Sequence, residues 1–354
     1  MWFLCALLTT VAWGVADLFY KKGADERDRF SHLKTSMIVG FVMGGHAIAT
    51  LLITGVDYDP VNLVKYLPVS AMYILSMTVG YFGLRYLELS ISSPIQNSSG
   101  AVSCILCLVI LHQMMDGISA VAVVIICGGV FFLGLLEKRE LDKERAAAGT
   151  AGNASEAKYR IGLVAFFMPI LYCIIDALGT FFDAYYLDDF EATPLVGVTE
   201  DTLETVANIS YELTFLICAF ILLIYMVIAN KVSAGRKAVT AGNVSNAPEN
   251  SSNGKNTADI PSNDVEILTP EENRRRTVSR ILAAVFETAG QATYVYAMSG
   301  NGVVAAPMIA SYSIVSLLLS RIFLKEKLTK WQYTAVTAVI IGIALLGIVE
   351  GLAE

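Results

Sequence analysis

The stretch YVYAMSGNGVVAAPMIASYSIVSLLLSRIFL, residues 294–324, holds one charged residue, Arg321. It closes one apolar run, 280–299, and contains the next, 303–323, with almost nothing between them, so the pair predicts a tight helical hairpin. Slid back by 213 positions, the stretch falls on residues 81–111, and the match continues without a gap from 81–137 onto 294–350. Identical pairs include Tyr81/Tyr294, Pro94/Pro307, Ser98/Ser311, Val102/Val315, Ser103/Ser316, Leu111/Leu324, Gly129/Gly342, Gly134/Gly347 and Glu137/Glu350. Apolar matches are cheap in an apolar chain. Proline, serine, glycine and glutamate shared in register are not.

Outward from this stretch, the apolar runs are 2–20, 35–54, 68–88, 91–111, 118–136, 161–182 and 210–229, then 280–299, 303–323 and 331–350. Each is close to the ~20 residues that carry a helix across the hydrocarbon core. Of the 354 residues 55% are apolar and only 16% charged, and the charges fall in short blocks between the runs. A membrane barrel would instead alternate over segments of about ten residues. The fold class expected is therefore all-α: a polytopic membrane protein of ten transmembrane helices. Each repeat holds five spans, an odd number, so the second must lie upside down relative to the first. Inverted repeats with a site at their interface are an alternating-access architecture. The divisions expected are a first repeat over 1–137, a cytoplasmic linker over 138–160 and a second repeat over 161–354.

Residues 230–279 run through AGNVSNAPENSSNGKNTADIPSND to TPEENRRRTVSR, with almost no hydrophobic periodicity. Such a segment cannot bury enough apolar area to offset its chain entropy, and a disordered insertion is expected there, ending in a short amphipathic helix near 270–279. Residues 188–208 form a third polar piece, acidic and without lysine or arginine. Basic residues decide orientation. The loops after the first, fifth, seventh and ninth runs hold 23 of the 25 lysines and arginines. Both termini are therefore expected outside a cell (plasma or inner) membrane, with 138–160 and 230–279 in the cytoplasm.

Several classes drop out. No basic face interleaved with aromatics supports nucleic-acid binding. Residues 1–20 lack a basic leader and a small-residue cleavage site, so we read them as a retained helix rather than a signal peptide. The six cysteines all lie within the apolar runs, and Cys104 and Cys107 make a CxxC with no second pair and no histidine nearby. Packing is the better reading, and no metal or cofactor is expected. The chain contains no HExxH or GxSxG, so no enzyme is expected.

Carboxylates at membrane depth need a reason, because each costs roughly 2.5–3.5 kcal/mol on insertion scales. Asp176 lies near the middle of its run and Glu287 about two turns into its own. Both are candidates to bind a proton or a cationic solute, against a hydrogen bond that locks helices. Asp17 and Asp183 lie nearer helix ends, where interfacial water is within reach. Arg85 and Glu88 are spaced to pair on one helix face. Pro94 and Pro307 each free a carbonyl one turn earlier and are read as hinges or cavity linings, against packing. Gln96, Asn97, Ser311 and Tyr312 flank them. Gln291, Tyr294, Tyr73, Tyr81 and Trp13 are candidate liners, against packing or interface anchoring. His46, alone in its run, reads as a satisfied buried polar group.

The ordered set Pro307, Ser311-Tyr312, Leu324-Lys325-Glu326-Lys327-Leu328-Thr329, Gln332, Gly342 and Gly347 resembles the EamA-type branch of the drug/metabolite transporter superfamily. Trp13-Gly14 followed by Lys21 resembles that family's first helix. One departure is His112-Gln113, which stand where the second half has Lys325-Glu326. The resemblance implies secondary transport of a small metabolite or drug-like solute. The alternative is a membrane-embedded sensor or scaffold whose 230–279 loop binds a cytoplasmic partner. Small solute, lipid bilayer and, as an open question, protons are the partners expected.

Overall fold

The computed structural model describes residues 1–24, 28, 30–83, 98–147, 162–245, 269–323 and 328–353. Among these the regular structure is helical: α1 Trp2–Gly23, α2 Ser31–Thr54, α3 Val61–Lys65, α4 Leu67–Gly83, α5 Ser99–Ile110 and α6 Gly117–Ala147. After them come α7 Gly162–Asp188, α8 Leu203–Ser245, α9 Pro270–Ala310, α10 Tyr312–Phe323 and α11 Lys330–Ala353. Seven stretches are long and apolar enough to cross a membrane, and α4 and α5 are shorter apolar helices. Large apolar side chains such as Ile48, Leu52, Ile221, Ile224 and Ile340 point outward unpartnered. That is the reverse of a water-soluble surface and suits a lipid solvent.

Residues 294–323 fall within one of the seven, Pro270–Phe323, which is 54 residues long. Its backbone leaves the helical region at Asn301 (φ −167°, ψ 71°). The contacts of α1 show what happens there. Gly23 meets Arg276 and Arg280, Trp13 meets Glu287 and Gly290, and Trp2 meets Gly300, so α1 runs antiparallel to 270–300. Thr10 meets Met308, Gly14 meets Val315, and Lys22 lies over Phe323, so α1 runs parallel to 302–323. The chain therefore turns back on itself at Asn301, and the expected hairpin is present with α1 packed against both arms.

Three further pairs run antiparallel. Between α2 and α8, Phe30 meets Tyr225, Gly40 meets Phe215 and His46 meets Glu212. Between α4 and α7, Tyr66 meets Asp183 and Ser76 meets Asp176. Between α6 and α11 two glycines permit close approach: a Cβ on Gly129 would strike Val339 and the Ala335 carbonyl, and one on Gly342 would strike Ile126 and the Ala122 carbonyl. Cys104 and Cys107 are buried in the core. The Met1 ammonium lies 3.2 Å from the Glu350 carboxylate, so the two ends of the described chain share one face.

Helices outrun the apolar spans at several points. α6 continues to Ala147, into the expected linker, and α8 to Ser245, so the start of the insertion expected to be disordered at 230–279 is helical. α9 begins at Pro270, the place of the expected short helix. Residues 148–161 and 246–268 lie outside the described residues, as do Arg85 and Glu88. The start of α9 follows from local chemistry. The Thr269 hydroxyl accepts the Glu272 N–H, the Glu272 carboxylate accepts the Thr269 N–H, and Pro270 occupies the first turn, where its missing donor costs nothing. The acidic 188–208 piece is pinned by α3: the Asn62 amide exchanges two hydrogen bonds with Val196, at 2.9 Å each, and Lys65 donates to the Pro194 carbonyl at 2.7 Å.

Candidate functional site

A cavity of about 280 Å³ lies in the middle of the bundle, with walls from α1, α4, α5 and α7 to α10. Its aromatic framework is set by packing. Gly290 has no Cβ, which lets the Trp13 indole lie against α9, stack on Tyr294 (centroids 5.1 Å apart, planes 27° apart) and donate its N–H to the Glu287 carbonyl at 3.2 Å. Tyr294 and Tyr73 join hydroxyl to hydroxyl at 2.6 Å, Tyr73 reaches Thr180 at 2.9 Å, and Tyr211 meets the Tyr73 ring edge-on. Tyr312 stands edge-on to Trp13. These rings form one connected cage.

Three carboxylates face the cavity: Asp17, Asp176 and Glu287. Asp176 accepts from the Ser76 hydroxyl at 3.2 Å, and Ser99 and Tyr20 share the lining with Asp176 and Glu287. These neighbours carry neutral hydroxyls. Asp17 accepts from Ser316 and lies 3.5 Å from the Lys21 ammonium. Hydroxyls can satisfy lone pairs without cancelling charge, so an ionised carboxylate at this depth carries a penalty that a proton or a bound cation relieves.

Of the residues singled out by sequence, Trp13, Asp17, Asp176, Glu287, Tyr294, Tyr312 and Tyr73 all meet at this cavity. Gln291 is buried beside it without lining it, and the Ser311 hydroxyl donates to Met308 within its own turn. The Pro307 backbone lies close to Gly100, whose missing Cβ gives it room. Pro94, Gln96 and Asn97 lie outside the described residues, as does the side chain of Tyr81. Asp183 is a correction: it does not reach interfacial water but is buried, accepting from Tyr66. Tyr20, Ser76, Ser99, Tyr172, Thr180 and Tyr211 complete the lining and were not singled out, because hydroxyl residues in apolar runs carry no periodic signal.

A second polar cluster lies between α2 and α8. Glu212 is fully buried, its two oxygens 2.9 and 2.8 Å from His46 Nδ1, and it also accepts from Asn208 at 3.2 Å. The sequence reading saw His46 without its partner. The two residues lie 166 positions apart and meet only because their helices run antiparallel.

Above the cage, on the side of the termini, hydrogen bonds tie helices together. His112, in the left-handed region at φ 55°, ends α5 and turns Gln113 inward. The Gln113 amide donates to Asp188 at 2.5 Å and accepts from the Val303 N–H at 2.9 Å. The His112-Gln113 departure noted in the sequence is thus a clamp joining α5, α7 and the second arm of α9.

Comparison with known proteins agrees with this picture. No curated protein matches the chain in sequence. A solved structure, described only as the crystal structure of a protein, superposes with a TM-score of 0.60 over 99% of this chain and 98% of its own. At 10% identity, that likeness is one of fold. The sequence profile of the EamA-like transporter family matches residues 1–135 and 264–348, which takes in every helix that walls the cavity except α7 and α8. With that profile over most of its length, this all-helical membrane protein belongs to the EamA-like transporter family.

Proposed function

We propose that the chain is a secondary transporter that carries a small metabolite or drug-like solute through the central cavity by alternating access. The observation that carries this reading is the origin of the cavity walls. α1, α4 and α5 come from the first sequence repeat and α7 to α10 from the second, so the carboxylates sit at the seam between them. Rocking of one half against the other exposes such a seam to each side in turn.

Ten crossings in two inverted halves are supported by three features. The reversal at Asn301 divides the 54-residue stretch in two, and α4 and α5 add two shorter crossings. The glycine contacts are reciprocal at the sequence offset of 213: Gly129 to Val339 maps onto Gly342 to Ile126, and Ala335 maps onto Ala122. A two-fold axis between antiparallel helices produces that pattern. Met1 and Glu350 on one face agree with an even number of crossings. The basic-loop count places that face outside a cell membrane.

Asp176 and Glu287 are the groups that would couple transport to protons. A carboxyl that loses its proton when open to one side and regains it when open to the other exchanges protons for solute. The test is purified protein in liposomes, screened against pools of amino acids, nucleosides and cationic dyes with and without a pH gradient. We expect gradient-dependent uptake of one pool. The Asp176→Asn, Glu287→Gln double variant should lose the gradient-driven part while slow exchange persists. Unchanged gradient-driven uptake would return both residues to a structural role, and binding without flux would favour a sensor.

A further inference from the structure

The chemistry of the cavity says which solutes suit it. Charge comes first: of the described residues that line it, three are acidic and none is basic. Lys21 stands beside Asp17 at the rim and offsets that one carboxylate. Asp176 has the Ser76 hydroxyl as its partner, and no basic residue stands among the described lining beside either Asp176 or Glu287. Two such acids on one cavity at membrane depth favour a positive occupant.

The rings come second, and they are independent of the carboxylates. Trp13, Tyr73, Tyr211, Tyr294 and Tyr312 touch one another around the cavity. Aromatic faces carry a negative quadrupole that attracts ammonium groups, most strongly where water is excluded. The same faces repel an anion. A third constraint is size: about 280 Å³ lies just below the roughly 300–1,000 Å³ usual for ligand cavities, so the solute is compact.

We infer that the solute is a compact organic monocation, a protonated amine with an apolar body. Its ammonium lies between Asp176 and Glu287, and its body lies against the cage headed by Trp13 and Tyr312. Carboxylic acids, sugar phosphates and zwitterionic amino acids are disfavoured, since each would bring a negative group towards acids. The nearest cation, Lys21, is already engaged by Asp17, and none stands among the described lining residues. This inference rests on the cavity's being the solute site, as proposed above.

The chain has three tryptophans, so Trp2→Phe with Trp331→Phe leaves Trp13 as a fluorophore inside the site. The probe is phenethylammonium at neutral pH. 2-Phenylethanol is its neutral counterpart, 3-phenylpropionate its anionic one and phenylalanine its zwitterionic one. Binding is read by Trp13 fluorescence in detergent and transport by counterflow in liposomes. We expect saturable binding of phenethylammonium, with the other three at least about tenfold weaker. Asp176→Asn and Glu287→Gln should each weaken it about tenfold to a hundredfold, the size of a lost charge-assisted hydrogen bond. Comparable binding of the alcohol, acid or amino acid would overturn the inference, as would no saturable binding of the amine. The same ligand series run by counterflow with the unsubstituted protein does not depend on any variant's folding. Selective amine binding without flux would sustain the cation site and sink the transporter reading. Flux of an anion with no amine binding would do the opposite.

Discussion

Gly290 lies against the Trp13 indole, so any side chain there must displace the ring that stacks on Tyr294. Gly290→Val should therefore destabilise the bundle by about 1–3 kcal/mol, the usual cost of overpacking. It should also shift Trp13 emission to the red in the single-tryptophan background, and an unchanged spectrum would show that the cage does not depend on this contact. Asp28, in the loop after α1, offers a pH test outside the membrane. Burial alone would push its carboxyl up. The Lys34 ammonium at 2.6 Å, the Phe30 N–H and the Arg280 guanidinium outweigh this and hold it below the usual carboxylate range. The folded state thus prefers the ion, so the anchoring is complete above that range and is lost as pH falls through it. Protection from hydrogen exchange across 28–34, taken relative to the intrinsic rate at each pH, should fall on acidification to about pH 3, whereas Asp28→Asn should be weakly protected at every pH. At this scale the sequence revealed the groups that are costly where they stand, the buried acids and the aromatics. It could not reveal Glu212 beside His46 or the burial of Asp183, because both depend on a distant helix that pairing alone brings near.

Where α6 crosses α11, close approach rests on one glycine from each helix. If a two-fold axis relates the halves, the two sites are equivalent, and Gly129→Val and Gly342→Val should each lower stability by about 1–3 kcal/mol and to a similar degree. Melting of the two variants in the same detergent checks this, and one neutral and one severe variant would contradict the dyad. The elements most legible in the sequence were those set by apolar length: the hairpin at 280–323 was expected, and the chain does reverse at Asn301. Helix beyond the membrane was less legible. Hydropathy marks where lipid ends, not where backbone hydrogen bonding ends, so α6 and α8 continue through polar sequence to Ala147 and Ser245. The start of α9 was readable from Thr269-Pro270-Glu271-Glu272, whose capping needs no partner helix.

The whole molecule must open and close on opposite sides if it is to transport, and the described closure lies on the face of the termini. Tyr73 with Tyr294 closes the cage, Tyr66 with Asp183 lies above it, and Gln113 ties Asp188 to Val303. Of these only Gln113 stands clear of the cavity lining while joining three helices, so it can be removed without touching the solute site. Gln113→Ala forfeits one hydrogen bond to a carboxylate and one to a backbone N–H, roughly 1–2 kcal/mol in all. If the two faces open alternately, that loss shifts the balance towards the state open at the termini. The effect can be read on a background free of the six native cysteines. Leu352→Cys, highly exposed next to the chain end, should react with a membrane-impermeant maleimide on intact cells, and Asn273→Cys only after permeabilisation. The reverse pattern would invert the orientation. Met77→Cys, in the cavity wall, then reports access to the site. From outside it should label slowly, and adding Gln113→Ala should raise that rate about five- to thirtyfold. A solute held in the cavity should slow labelling in both backgrounds. An unchanged rate with Gln113→Ala would mean that the clamp does not govern opening at this face. Fast labelling from outside without it would mean that the termini lie on the open side.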